Sequence, residues 1–183
     1  MTSTLLLVVA ACGSTVAASP PPPTAGTTAP ASFNATDLAW IQLMIPMDEQ
    51  LLRVLELARK QASTTALRTL ATQLRAGHRA ELAQLIALRT RAGAPTTNQH
   101  EGHDMPGMMT EAEVVALGKA SGVAFDNLFV RSLKEHLKQS IVLAQGIGTA
   151  GQEPAVKKLA GSIAASRADQ VAALGRAAVR TQK

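Results

Sequence analysis

Apolar side chains recur at helical spacing along four long stretches of the chain. The first, over about residues 35–61, puts Leu38, Ile41, Ile45, Leu52 and Leu55 on one face. The second covers about 64–91 with Leu67, Leu70, Leu74, Leu82, Leu85 and Ile86, and Gly93 and Pro95 stop it. A third, over about 124–146, carries Phe125, Phe129, Leu133, Ser140, Ile141 and Ala144. The fourth opens at Pro154, a residue suited to the first helical position, and continues through Leu159, Ile163, Val171 and Leu174.

A shift of 89 residues superposes Gln50 on Gln139, Leu70 on Leu159, Ala71 on Ala160 and Leu85 on Leu174, which describes a duplicated helical hairpin. Two hairpins with apolar stripes bury each other most simply as a four-helix bundle, so the expected class is all-α with interior sites on facing helices. Between the hairpins lies a polar loop from Gly93 to Met109. A short extra helix follows it, opened by the capping box Thr110-Glu-Ala-Glu113.

The N-terminal stretch has a different character. Residues 1–11 contain an apolar run from Leu5 to Ala11, and Val9-Ala10-Ala11-Cys12-Gly13 reads as a lipobox. The run is far shorter than the ~20 residues of a membrane-spanning helix, so a signal peptide ending before Cys12 is expected, with lipid attached to the Cys12 sulfur. No Lys or Arg precedes the apolar run, which departs from the usual signal pattern. Residues 12–32 form an uncharged Pro/Ala/Thr/Ser/Gly tether that cannot bury a core. Residues 33–183 are long enough for one helical domain with an apolar interior.

Composition narrows the function. Aromatic residues make up 2% and there is no Tyr, while Ala, Leu, Arg, Gln and Glu abound, which favours helices over a sheet. The net charge of +5 is spread over several helical faces without dense basic runs or interleaved aromatics, so nucleic acid is not an expected partner. Cys12 is the single cysteine, which leaves no intrachain disulfide and, once acylated, no thiolate. No Glu-x-x-His, Ser-His-Asp spacing or phosphate-binding glycine loop occurs, and no enzyme is expected.

Soft donors collect in the connecting loop: His100, His103, Met105, Met108 and Met109 are five of ten His and Met residues in the chain. Thioether and imidazole without Cys suit copper, above all Cu(I), better than zinc or a hard cation. The same residues also fit a loop whose methionines plug the bundle while its histidines are solvated. The residues alone leave both open.

Phe33-Asn-Ala-Thr-Asp37, Met44-Ile45-Pro46, Glu49-Gln50 and His103-Asp-Met-Pro-Gly-Met-Met109 resemble the DUF305 family, a domain of unknown function, over essentially the whole domain. The resemblance implies a ferritin-like helical bundle of bacterial envelopes, some of whose members bind copper in copper tolerance. It therefore implies a periplasmic or surface copper binder with the loop as its first ligand set. The chain departs from the family's His-His pairs, reading Met47-Asp48 in the first hairpin and His136-Leu137 in the second. A possible second site is reduced to Met44, Met47, Asp48, His78, Glu81 and His136. Asp48 falls on the apolar stripe and needs an arginine, a histidine or a metal as partner. One His with one carboxylate falls short of a tight coordination site, so internal pairing is the expectation for Asp48 and His136.

The expected function is a lipid-anchored envelope protein on the extracytoplasmic side that binds copper through the loop, in sequestration or tolerance. The alternative is a helical scaffold or partner-binding lipoprotein that holds no metal.

Overall fold

The computed structural model describes residues 33–179, and the expectations for residues 1–11 and 12–32, Cys12 among them, lie outside the described residues. Five helices follow one another: α1 (Ala35–Gln61), α2 (Thr65–Arg91), α3 (Glu111–Lys119), α4 (Gly122–Ala150) and α5 (Pro154–Val179). No strand occurs among the described residues. α1 packs chiefly on α2 and α4 on α5, and the two hairpins join through α1 on α4 and α2 on α5. The short α3 rests against α1 and α4, where Arg53 holds Glu111 in a two-pronged ion pair at 2.6 and 2.9 Å.

Local chemistry sets the helix starts. Asn34 caps α1 by accepting from Asp37 N at 2.8 Å, and Asp37 answers by accepting from Asn34 N at 2.9 Å. Thr64 and Thr110 cap α2 and α3, the latter with Glu113 in the expected capping box. α4 is longer than its apolar pattern suggests, because Gly146 and Gly148 are carried inside the helix and it ends only at Gly151. The α1 stripe is also shifted: Met44, Met47, Leu51, Val54 and Leu55 are its buried centre, whereas Leu38 and Leu52 lie at its edge.

The duplication extends to the caps. Asp37 and Asp126 are related by the same shift of 89 residues, as are Gln152 and Ser63. Asp37, on the first turn of α1, accepts from Gln152 N and Glu153 N at the α4–α5 turn. Asp126, on α4, accepts from Ser63 N at 2.9 Å and from Ser63 Oγ at the α1–α2 turn. Each hairpin therefore pins the turn of the other with a buried carboxylate.

The core is divided. One apolar cluster contains Leu51, Val54, Leu67, Leu74, Phe125, Phe129 and Leu174, and the other contains Trp40, Ile41, Met44, Met47, Leu85, Ile147 and Ile163. Away from the helix ends, the buried polar residues of the four long helices fall where one cluster gives way to the other: Asp48, then His78 and Glu81, then His136 and Ser140, then Arg167. A polar layer thus crosses the bundle at mid-height.

Candidate metal centre

Helix register builds this layer. On α1, Met44, Met47 and Asp48 lie three to four residues apart and share one face; all three are at most 1% exposed. On α2, His78 and Glu81 share a face in the same way, and both are buried. α4 supplies His136, and α5 supplies Arg167 and the half-buried Gln170. Under the 89-residue shift His78 corresponds to Arg167, Glu81 to Gln170 and Met47 to His136, so the layer is assembled from equivalent positions of the two hairpins.

Asp48 Oδ1 lies 2.9 Å from His78 Nδ1 and 3.4 Å from Arg167 Nη2. The same guanidinium nitrogen reaches Glu81 Oε1 at 2.5 Å and His78 Nδ1 at 3.3 Å. His78 Nε2 faces Gln170 Oε1 at 3.2 Å, and the Gln170 amide donates to Ser166 Oγ at 2.9 Å. With its carbonyl turned to the imidazole, Gln170 takes the proton of Nε2, which leaves the lone pair of a neutral His78 on Nδ1. Asp48 Oδ1 and His78 Nδ1 are then two acceptors facing each other, and the Arg167 Nη2 that reaches both supplies the positive charge such a pair calls for.

His136 is oriented differently. Its Nδ1 lies 3.1 Å from the carbonyl oxygen of Gly107 in the connecting loop. A carbonyl can only accept, so Nδ1 carries the proton, and the neutral ring presents its Nε2 lone pair to the interior. That Nε2 is buried and has no hydrogen-bond partner among the described residues, and the same holds for Asp48 Oδ2 and Arg167 Nε. Buried polar atoms are seldom left unsatisfied, and here three share one layer. The ring centroids of His78 and His136 are 6.1 Å apart, and Asp48, His78 and His136 each offer a ligand atom within 4.8 Å of the others.

Burial dominates the electrostatics. It pushes the Asp48 carboxyl up to about 6 against the opposing pull of Arg167. Glu81 rises to about 7, first through burial and next through the charge of Asp48. Burial and then Arg167 hold His78 down at about 4, and the same two causes put His136 well below the ordinary histidine range. Both rings are therefore neutral near pH 7. The Asp48–His78 contact is therefore not an ion pair of two full charges, and it becomes a hydrogen bond when Asp48 carries the proton.

The profile of the DUF305 family, described as a domain of unknown function, matches residues 37–178. The chain belongs to the DUF305 family. Solved structures agree in fold. A DUF305 fragment from Deinococcus radiodurans superposes with a TM-score of 0.69 at 21% identity, covering 82% of this chain and 99% of its own. A DUF305 protein from Streptomyces coelicolor gives 0.72 at 18%, covering 80% and 94%. CopM in its Cu(I)-bound form gives 0.65 at 20%, covering 78% and 95%. No curated protein matches the chain.

In this DUF305 protein Met105, Met108 and Met109 of the loop line one open depression, while their packing differs. Met108 and Met109 are buried, but Met108 belongs to the apolar cluster of Met44 and Met47 while Met109 belongs to that of Leu51 and Phe125. Met105 is half-buried against the Met108 cluster, His100 is half-buried and His103 is exposed. Thioethers fill apolar space as readily as they bind metals, which is why residue type alone left this open. The possible second set, Met44, Met47, Asp48, His78, Glu81 and His136, is brought into one buried neighbourhood. Internal pairing of Asp48 is present, with His78 and Arg167 together. His136 pairs instead with the Gly107 carbonyl, and His78 raises the imidazoles in the layer to two.

Sequence reasoning missed Arg167, because an arginine in a helix ordinarily reads as solvated. Its register was the available signal: four residues after Ile163, seven before Leu174 and 89 after His78. The role of the Gly107 carbonyl carried no signal in residue type.

Proposed function

We propose that this DUF305 protein binds a soft monovalent metal ion, copper as Cu(I), in the polar layer of its bundle, with Asp48, His78 and His136 as ligands. The observation that carries the reading is the His136 ring: its Nδ1 proton is held by a backbone carbonyl while its Nε2 lone pair is buried, unpartnered and close to a carboxylate and a second imidazole. Metal-binding histidines are commonly fixed in this way through their second nitrogen. Charge points to the valence. Once a bound cation displaces the protons of Asp48 and Glu81, the two carboxylates against Arg167 leave one negative charge in excess, which one monovalent cation neutralises. The thioethers of Met44 and Met47 beside Asp48 favour a soft ion. CopM, of the same fold, has been solved with Cu(I), with Cu(II) and with Ag bound, which is consistent with a copper site whichever the valence.

Envelope location and a role in copper sequestration or tolerance belong to the same proposal. The lipobox at Cys12 and the uncharged tether behind it support lipid anchoring, and no helix among the described residues is long and apolar enough to cross a membrane. Detergent partitioning of the parent, lost in Cys12→Ala, tests the anchor.

A competition titration with a chromophoric Cu(I) chelator tests the metal site. The parent chain should take up Cu(I) stoichiometrically, and His136→Leu and Asp48→Asn should each weaken it by at least about tenfold. Replacement of the loop residues His100 and His103 by Gln should leave the affinity within a few fold. Loss on the loop side alone would move the site to the loop. A second reading, a self-paired polar layer in a scaffold protein that holds no ion, is favoured by the contact of Arg167 with both Asp48 and His78; a parent indifferent to Cu(I) would select it.

A further inference from the structure

The three ligands proposed above are 0% exposed, so an ion bound there must pass through packed protein. Resting on that reading, we infer that Met105 and Met108 form a thioether path that loads the ion from the surface onto Met44 and Met47 at the buried centre. Of the six methionines, four lie in or against one apolar cluster: Met44, Met47 and Met108 are buried members, and Met105 packs on it while half-buried. The two ends of the series touch the site through the chain itself. Met47 is followed directly by Asp48, and Met108 follows Gly107, whose carbonyl oxygen holds His136 Nδ1.

The outer end is accessible. Met105, Met108 and Met109 line an open depression of about 330 Å³ together with Asp104, Glu113 and Glu135. The three carboxylates make its mouth attractive to a cation, while the thioether discriminates in favour of a soft one. Hard divalent ions gain nothing from the sulfur steps and are expected to load slowly. Met109 lines the same depression, but its side chain packs in the opposite apolar cluster, so it can meet an ion at the mouth without passing it to Met44 and Met47.

Rate, not affinity, distinguishes this path. In the full chain, stopped-flow transfer of Cu(I) from a chromophoric chelator should slow by about tenfold or more in Met105→Leu and Met108→Leu, with Met109→Leu unchanged. Leucine keeps the volume and apolar character, so the melting temperature and the equilibrium affinity should stay close to those of the parent. Because a variant could lose its fold, a second measurement uses the unaltered chain. Substoichiometric Ag(I), a redox-inert soft ion, should perturb the labelled methyl resonances of Met105 and Met108 together with those of Met44 and Met47. Equal loading rates in all three variants, or methyl shifts at Met109 alone, would overturn the path while leaving the interior site standing. No His136-dependent Cu(I) uptake by the parent would instead overturn the site on which the path rests.

Discussion

His78 and Arg167 occupy equivalent positions of the two hairpins, 89 residues apart, and the bundle brings Arg167 Nη2 within 3.3 Å of His78 Nδ1. The same duplicated position thus gives a neutral imidazole on one side and a permanent cation on the other. Arg167 is 1% exposed and is tied to both Glu81 and Asp48. Its replacement by Met should destabilise the metal-free protein by about 3–5 kcal/mol at neutral pH, since two buried carboxylates lose their counter-charge. Adding Glu81→Leu should restore part of that loss. Denaturant unfolding of the two single variants and the double variant measures the coupling.

The pH dependence of the metal-free chain follows from opposed shifts. Asp48 and Glu81 have folded values of about 6 and 7, above the ordinary 3.8 and 4.5, so their contribution to stability is present at low pH and is lost as pH rises through 6 to 7. His78 falls from 6.5 to about 4, and His136 falls too, so their contribution is present above 6.5 and is lost as pH drops towards 4. Between about pH 4.5 and 6.5 the two pairs offset each other, and the layer contributes little net slope. Asp48→Asn removes one carboxylate from that balance. Its unfolding free energy should fall more steeply than the parent's on acidification from 6.5 to 4.5, as followed by chemical denaturation at a series of pH values.

Gly107 combines a φ of +76° with a close approach to α4, where a Cβ would come within 2.4 Å of Gln139 Cβ. Gly107→Ala should therefore lift the loop and cost about 1–3 kcal/mol. The His136 Nδ1 proton, slow to exchange in the parent, should exchange rapidly in the variant. An unchanged imidazole NMR signal would separate His136 from the loop.

The exchange of caps between hairpins gives an independent check on the fold. Asp37→Ala and Asp126→Ala each leave turn N–H groups, buried at Glu153 and partly buried at Ser63, without their carboxylate and should cost about 1–3 kcal/mol. The two sites lie at opposite ends of α1, whose 27 residues span about 40 Å, so the double variant should show a simple sum.

The helices were legible because their apolar spacing and their capping residues agree. Asn34, Thr64, Thr110 and Pro154 each mark a boundary by side-chain chemistry that acts within one turn. Asp48 was legible as an anomaly, since a carboxylate on an apolar stripe demands a partner. The identity of that partner was not legible, because it depends on which face of α5 meets α2. The loop was harder still: Met108 and Met109 are neighbours in sequence but enter different apolar clusters, a division set by the backbone at Gly107 and by the polar layer beneath it.

Copper-edge anomalous diffraction from crystals of the Cu(I)-loaded chain tests the central claim most directly. The account predicts one dominant copper peak inside the bundle, within bonding distance of His136 Nε2 and His78, with Asp48 or a thioether of Met44 or Met47 completing the set. A dominant peak at His100 or His103, with the contacts of Asp48 to His78 and Arg167 unaltered, would contradict it.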